Sequence, residues 1–226
     1  MIELHGWMTP NSRKLYYILE ETGLPYRIHP VNIGKDEQFK PAFLAISPNN
    51  KTPALVDPDG PGGKPHSVFE TSAMLIYLAE KAGQLLPTDA AARSDTLQWL
   101  MWQTGGLSPM FGQAGHFRGL DDQAGNAYAV ERFTKEANRL FGVLDRRLAD
   151  GPYLAGADYT IADISTHPWL RMPTRQGVEV DGFANFKRWF DQINERPAVQ
   201  RANKIADAVR DAAAEATGPI DPASLV

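Results

Sequence analysis

The sequence predicts an α/β domain with the element order βαβαββα, followed by an all-helical domain. Three observations predict this division: strand and helix signals alternate over residues 1–82, helical periodicity alone continues beyond residue 90, and the stretch GQLLPTDAA lies between the two regions. The predicted organisation is a domain at 1–83, a linker at 84–91, a helical domain at 92–214 and a mobile tail at 215–226.

The first domain opens with a strand, because Ile2 and Leu4 alternate with polar residues. Thr9 is a favourable N-cap, Pro10 suits the first helical position, and Gly23 closes the helix that follows. The remaining predicted elements are strands at 26–33, 54–56 and 66–70, a short helical turn at 40–47 and a helix at 71–83. A turn-rich loop joins the last two strands, which favours an antiparallel hairpin.

The second domain is built around a long amphipathic helix at 127–148. Apolar residues recur on one of its sides: Val130, Phe133, Ala137, Leu140, Phe141 and Leu144. Further helices are predicted at 160–171, 184–194 and 198–214. Thr160 stands three residues before Asp163, which is the spacing of a capping box. We therefore interpret Asp163 as a helix cap and not as a catalytic acid.

The composition argues against several classes of partner. The chain of 226 residues has a net charge of −4 and an isoelectric point near 5.7, whereas nucleic acids and anionic membranes require a basic surface. No apolar run reaches the roughly 20 residues of a membrane span. The N-terminal residues MIELHGW lack the features of a secretory signal, so the expected location is the cytoplasm.

The chain contains no cysteine, which excludes disulfides, thiolate zinc sites and a nucleophilic thiol supplied by the protein. Its five histidines are scattered without the spacing of metal ligands. We therefore expect no metal.

Proline precedes an apolar strand in the stretch NNKTPALVDPDG. Because proline has no backbone N–H, a strand accepts it only at its first residue or at an edge. On the residues alone, Pro53 is an ordinary strand-initiating trans proline.

The complete pattern resembles a known family. A βαβαββα unit with X-Pro at its third strand resembles a thioredoxin-like domain, and that unit followed by helices resembles a cytosolic glutathione transferase over about residues 1–210. The motifs are TPNS, SPNNKTPALV, FETSAMLIYLAEK and YTIADI. The residues and spacing of these motifs are most similar to those of the bacterial nu class. That class is in turn similar to the globular part of a yeast nitrogen regulator.

The resemblance implies how glutathione would bind. It implies that Pro53 is cis and that the peptide groups of Thr52 pair with the cysteinyl backbone of glutathione. Glu70 would pair with the amino group of the ligand, and Thr71 would bind its γ-glutamyl carboxylate at a helix N-terminus. The family usually has serine at position 71, and threonine keeps the hydroxyl. Capping of the helix is the alternative role for both residues.

Three further residues are assigned to glutathione by the same resemblance. Lys51 and Gln38 would contact its glycyl end, although either could equally be a solvated surface residue. Arg132 matches an arginine directed toward glutathione in the nu class. The alternative for Arg132 is an ion pair with Glu136 one helical turn away.

The resemblance also indicates which groups would stabilise a glutathione thiolate. Trp7 stands where many members have a tyrosine, so the predicted catalytic donors are Thr9 and Asn11, with Ser12 in reserve. Helix capping is the alternative role for Thr9. The two roles are compatible, because capping uses the hydroxyl oxygen and leaves the O–H free to donate.

The predicted function is a glutathione-dependent disulfide-bond oxidoreductase of glutathione transferase type. A bound glutathione thiolate would attack a small disulfide or an electrophile, with glutathione as co-substrate. The resemblance alone implies that the protein is a homodimer. The glycine-rich stretch at 105–117 could line the cleft for the second substrate, or its apolar residues could simply pack in the core. The alternatives are a detoxifying, conjugating transferase and a non-catalytic glutathione-binding regulator.

Overall fold

The computed structural model describes residues 1–122, 124–215 and 218–226. The chain divides into two compact units, the first made of Met1–Gln84 with Glu195–Val226 and the second of Leu85–Asn194. The strands are β1 (Ile2–Gly6), β2 (Tyr26–Pro30), β3 (Ala54–Asp57) and β4 (His66–Phe69). The α-helices are α1 (Pro10–Thr22), α2 (Pro41–Leu44), α3 (Thr71–Ala82), α4 (Ala90–Trp102), α5 (Ser108–Arg118), α6 (Ala127–Ala149), α7 (Ile161–Thr166), α8 (Ala184–Asn194) and α9 (Pro197–Glu215).

The first unit contains a four-stranded mixed sheet with the order β2-β1-β3-β4. Strand β1 is parallel to β2 and antiparallel to β3, and β3 is antiparallel to β4. The predicted order βαβαββα and the predicted hairpin of the last two strands are therefore confirmed. Two strands end earlier than expected, β2 at Pro30 and β4 at Phe69.

Strand register brings the ends of several strands together. His5 pairs with Ala54 across the β1–β3 ladder, and Ala54 pairs with Phe69 across the β3–β4 ladder. Since both ladders are antiparallel, the residues that follow β1 and β4 meet the residues that precede β3. We call this region the common end of the sheet.

Helix α1 forms as its sequence predicts. Thr9 caps it by accepting a hydrogen bond from the Ser12 N–H, Pro10 occupies the first turn, and Gly23 ends it with φ 66°. The buried apolar side chains of α1 include Leu15, Ile18 and Leu19. The helix packs against α3 and α9 within the first unit.

The C-terminal region differs from the prediction in two ways. Helix α9 belongs to the compact unit of the sheet and not to the helical unit, because its apolar face, including Ala202 and Ile205, packs against α1. The tail was expected to be mobile, yet Ile220 forms a β-bridge with Ile28 and is 7% exposed. Burying an isoleucine and satisfying two backbone groups explains why the described part of the tail is docked.

The second unit is helical, as predicted. The apolar side of α6 buries Ala137, Leu140, Phe141 and Leu144. Helices α4 and α5 are joined by a π-helical segment at Gln103–Leu107, which places the glycine-rich stretch in one long helical run. Among the described residues, no helix is both long and apolar enough to span a membrane.

The predicted capping box is present at the start of α7. The Thr160 N–H donates to Asp163 Oδ2 at 3.1 Å, and the fully buried carboxylate also accepts from the Leu154 N–H and the Trp189 indole N–H. The helix predicted for 160–171 is shorter than expected: its α-helical part ends at Thr166. A 3-10 turn containing Pro168 follows, since proline cannot supply the next helical N–H.

Candidate functional site

The common end of the sheet contains the peptide bond between Thr52 and Pro53, the proline that precedes β3. The peptide bond between Thr52 and Pro53 is cis, so the alternative of a trans proline is wrong. Both ladders of β3 begin at Ala54, so the peptide groups of Thr52 lie outside them. Pro53 is buried and Thr52 is half-buried.

The junction between β4 and α3 lies at the same end of the sheet. Glu70 precedes the helix with φ 70° and ψ 117°, although it is not a glycine. Such a conformation costs on the order of 1–3 kcal/mol and is found where surrounding structure and function maintain it. The Glu70 side chain is exposed, and its Oε1 accepts a hydrogen bond from Asn49 Nδ2 at 3.1 Å. No role for Asn49 was predicted, although it stands in the quoted SPNNKTPALV motif.

Helix α3 begins at Thr71, whose side chain points inward. Thr71 is 9% exposed and Ser72 is 4% exposed. The N–H groups of a helix N-terminus and a hydroxyl at its first residue together favour a bound carboxylate. The structure therefore places next to Glu70 the donors that the resemblance assigns to a γ-glutamyl group. No Glu70 side-chain hydrogen bond caps the helix.

A buried lysine that the sequence analysis missed lies beneath this helix start. Lys14 of α1 is 1% exposed, and its Nζ lies 3.4 Å from Thr71 Oγ1. Burial lowers the pKa of the Lys14 ammonium, the negative charge of Glu70 opposes that effect, and the resulting pKa is about 7. The helical spacing of the sequence indicates that Lys14 is buried, because it stands four residues before Ile18 on the face of α1 that the apolar residues bury.

The turn between β1 and α1 holds a cluster of hydroxyl groups. Ser12 Oγ accepts from the Trp7 N–H at 3.1 Å and lies 3.1 Å from Thr9 Oγ1. Ser12 is fully buried, whereas Thr9 and Asn11 are half-buried. The O–H of Thr9, expected to be free, therefore has Ser12 Oγ within reach.

One proton links the two hydroxyls, and either side chain can supply it, because hydroxyl protons rotate. If Thr9 donates, its own proton is engaged. If Ser12 donates, Thr9 Oγ1 accepts and the proton of Thr9 is available to a ligand. A rotation of two hydroxyls therefore converts this cluster from a closed to a donating state.

The absence of a side chain at Gly6 allows the Ser12 and Tyr16 hydroxyls to lie close to the backbone at this turn. A Cβ added to Gly6 would lie 3.2 Å from Ser12 Oγ and 3.5 Å from the Tyr16 hydroxyl. That hydroxyl is buried and has no hydrogen-bond partner among the described residues. The space above Gly6 is therefore filled by the polar groups that surround Ser12.

The two residues predicted for the glycyl end have different environments. Lys51 is exposed, and its carbonyl oxygen accepts from Ser47 Oγ at 3.0 Å. Gln38 lies in a short 3-10 turn, with Nε2 at 3.5 Å from Asp36 Oδ1 and with a buried Oε1 that has no partner within the described chain. Neither observation assigns a ligand to these side chains.

Arg132 is an exposed residue of α6 in the second unit. Glu136, the alternative partner of Arg132, is held by Arg139 through two hydrogen bonds of 2.7 Å, and the charge of Arg132 acts on it as well. That contact lowers the pKa of the Glu136 carboxyl. A cavity of about 790 Å³ within this unit is lined by residues of α5 and α6, including Met110, Tyr128, Arg132 and Phe133.

The first unit has a cavity of its own, of about 660 Å³, whose lining includes Trp7, His29, Asn32, Lys35 and Arg210. None of the predicted glutathione residues lines it. Within the described residues, no three His, Cys, Asp or Glu side chains are grouped so as to hold a metal ion.

Comparisons with known proteins agree with this geometry. Residues 9–81 match the family model of the glutathione S-transferase N-terminal domain, and residues 107–197 match that of the C-terminal domain. The chain is 47% identical over 203 residues to the disulfide-bond oxidoreductase YfcG of Escherichia coli, covering 89% of this chain and 94% of that protein.

Two solved bacterial structures have a similar fold. A glutathione transferase family member from Pseudomonas fluorescens, with two glutathione bound, has a TM-score of 0.83 and 46% identity, covering 89% of this chain and 91% of that one. A glutathione transferase from Pseudomonas putida, with one glutathione disulfide bound per subunit, has a TM-score of 0.84 and 44% identity, covering 90% and 91%. From these matches and from its sheet and helices, the chain belongs to the glutathione S-transferase family.

Proposed function

We propose that this protein reduces disulfide bonds with glutathione, using the thiolate of a bound glutathione as the nucleophile. The observation that carries the proposal is the convergence of the Thr52–Pro53 bond, the start of α3 and the start of α1 at the common end of the sheet. The names and ligands of the relatives support it, since they include a disulfide-bond oxidoreductase and structures with two glutathione or one glutathione disulfide.

In this proposal the tripeptide lies along the start of β3. The free peptide groups of Thr52 pair with its cysteinyl backbone, as in the addition of a strand to a sheet. Glu70, held by Asn49, pairs with its amino group, and Thr71 with the N-terminus of α3 binds its γ-glutamyl carboxylate. Lys51 and Gln38 are assigned to the glycyl end, and Arg132 to the same ligand, on the resemblance alone.

The cysteinyl sulfur then lies near the start of α1, where Thr9 and Asn11 are the proposed donors. A free thiol has a pKa near 8.5, and lowering it by two units requires about 2.7 kcal/mol of preferential thiolate stabilisation. A hydrogen bond to a charged group contributes about 1.5–3 kcal/mol. The helix N-terminus adds about 0.3–1 kcal/mol. One donor and the helix are therefore sufficient.

The reaction consumes two glutathione molecules, because reducing one disulfide takes two electrons and each glutathione supplies one. Both attacking sulfurs belong to glutathione, because the protein has no cysteine. The thiolate of the first attacks one sulfur of the substrate disulfide, forms a mixed disulfide and releases the other sulfur as a thiolate, which takes up a proton. A second glutathione thiolate attacks the glutathione sulfur of the mixed disulfide. Glutathione disulfide forms, and the second half of the substrate leaves as a thiolate, which takes up a proton to become a thiol.

Glutathione-dependent reduction of hydroxyethyl disulfide tests the proposal. The formation of glutathione disulfide is followed with glutathione reductase and NADPH. The double variant Thr9→Ala, Asn11→Ala should lose most of the rate, whereas Gln98→Ala on the exposed face of α4 should keep it. A folded protein that binds glutathione but gives no rate would contradict the proposal. Faster turnover of an aromatic halide than of any disulfide would favour a conjugating transferase instead.

The proposed assembly is a homodimer, and the proposed location is the cytoplasm. Strand β4 is an edge strand with Phe69 40% exposed, and such an apolar edge residue favours association. The cytoplasm maintains the reduced glutathione that the reaction consumes. Light scattering coupled to gel filtration tests the first statement, and microscopy of a fluorescent fusion tests the second.

A further inference from the structure

The buried cation of α1 has no role in the function proposed above. Lys14 ranks among the largest side chains that are completely buried, with 1% of its surface exposed. An ammonium group in such a place is unfavourable unless nearby groups compensate for its lost hydration. Its position therefore needs a reason, and the contact with Thr71 points to one.

Contact with Lys14 sets the direction of the Thr71 hydroxyl. A protonated lysine can only donate hydrogen bonds, so across the 3.4 Å contact Thr71 Oγ1 must accept. The proton of Thr71 is then directed away from Lys14. Thr71 is the first residue of α3, so this proton is added to the N–H groups at the start of the helix.

The charged groups near Lys14 differ between its α3 side and its α9 side. From the α3 side Glu70 acts on it, with the sign that favours its charged form. On the α9 side, Asp207 pairs with Arg13 and Arg201 pairs with Glu20. A carboxylate bound at the start of α3 would add a second negative charge on the same side as Glu70.

We propose that Lys14 is a positioning residue for the ligand carboxylate at the start of α3, and that it takes up a proton from solution when this carboxylate binds. The inference rests on the proposed function, because the carboxylate is the γ-glutamyl one of glutathione. Burial holds the pKa of free Lys14 at about 7, so a substantial fraction is neutral near neutral pH and able to gain the proton. The protonated form then directs the Thr71 hydroxyl toward the ligand.

Calorimetry with S-methylglutathione tests this, because the blocked sulfur cannot release a proton of its own. Binding is measured near pH 7 in phosphate and in Tris, whose ionisation enthalpies differ, and the dependence of the heat on buffer counts the protons exchanged. We expect an uptake of roughly half a proton by the wild type, following from linkage. Lys14→Met should abolish the uptake and weaken binding about tenfold, the equivalent of one pKa unit. Lys64→Met, which removes an exposed lysine of the same unit, should change neither.

The outcomes separate the two proposals. Wild-type protein that binds the ligand and reduces disulfides without buffer-dependent heat would overturn the role of Lys14 alone. Uptake that persists in Lys14→Met would do the same. Absence of binding by both S-methylglutathione and glutathione would overturn the proposed function together with this inference. The wild-type measurement decides the matter by itself, independently of any change that Lys14→Met makes elsewhere in the protein.

Discussion

Asn49 Nδ2 donates a hydrogen bond of 3.1 Å to Glu70 Oε1 and so connects the loop before the cis proline with the start of α3. Twenty-one positions of sequence separate the two residues. The contact orients the carboxylate that we propose for the amino group of glutathione. It also links the two segments that would hold the ligand at the common end of the sheet.

Asn49→Ala should weaken glutathione binding without altering the chemical step. A hydrogen bond to a charged group is worth about 1.5–3 kcal/mol, and partial compensation by water makes a five- to tenfold rise in Kd a reasonable expectation, with kcat about unchanged. Titration calorimetry and steady-state kinetics measure the two quantities. Gln98→Ala is the matched removal of an exposed amide. A fall in kcat with unchanged Kd would contradict this role for Asn49.

Substitutions at Glu70 should separate its effect on protein stability from its effect on glutathione binding. Its positive φ is unfavourable for any side chain, so Glu70→Gly should be about 1 kcal/mol more stable than Glu70→Ala, which keeps the Cβ. Both variants lack the carboxylate and should bind glutathione equally poorly. Urea unfolding gives the first comparison and calorimetry the second. Equal stability of the two variants would show that the Glu70 backbone is unstrained.

Thr9 should control the ionisation of bound glutathione. Thr9→Val removes both the cap and the donor, so the apparent pKa in the pH–rate profile should rise by about one to two units and stability should fall by about 1 kcal/mol. Thr9→Ser keeps both functions of the hydroxyl and should stay close to the wild type. A Thr9→Val profile superimposable on the wild type would move the donor role to Asn11 or Ser12.

Because of Lys14, the free energy of unfolding should increase as the pH rises above 7. Its pKa is lowered from 10.5 to about 7 by burial, so between these values the unfolded chain binds one proton more than the folded chain. The free energy of unfolding therefore rises with pH, by on the order of 1 kcal/mol per unit between about pH 7 and 10. Below pH 7 this contribution is constant.

Urea unfolding of the wild type and Lys14→Met at several pH values isolates this contribution as a difference. The variant should be the more stable protein at pH 7, and its advantage should shrink as the pH rises toward 10. An advantage that does not change with pH would mean that Lys14 titrates normally in the folded state.

Ile220 should stabilise the first unit. Ile220 forms a bridge to Ile28 and its side chain is buried, so Ile220→Ala should lower the free energy of unfolding by about 2 kcal/mol. This value is toward the lower limit for a buried isoleucine, because Ile220 lies near a terminus. Ser224→Ala, at an exposed position of the same tail, should cost little. Chemical denaturation measures both. Two equally stable variants would restore the expectation of a mobile tail.

The elements of the fold could be predicted because their signals are local. Thr9, Pro10 and Gly23 bound α1 through capping and backbone preferences that act within a few residues, and Thr160 with Asp163 bounds α7 in the same way. Apolar periodicity identified the buried side of α6. The absence of cysteine settled that any reacting sulfur must come from a ligand.

The contacts between distant segments depend on the tertiary structure. Nothing within the sequence around Lys14 indicates that its ammonium meets Thr71, 57 positions away, nor that Asn49 meets Glu70. The same holds for Ile220, whose partner Ile28 lies on another element. These contacts arise from strand register and helix packing, and both are set by the collective burial of apolar surface and not by short-range preference.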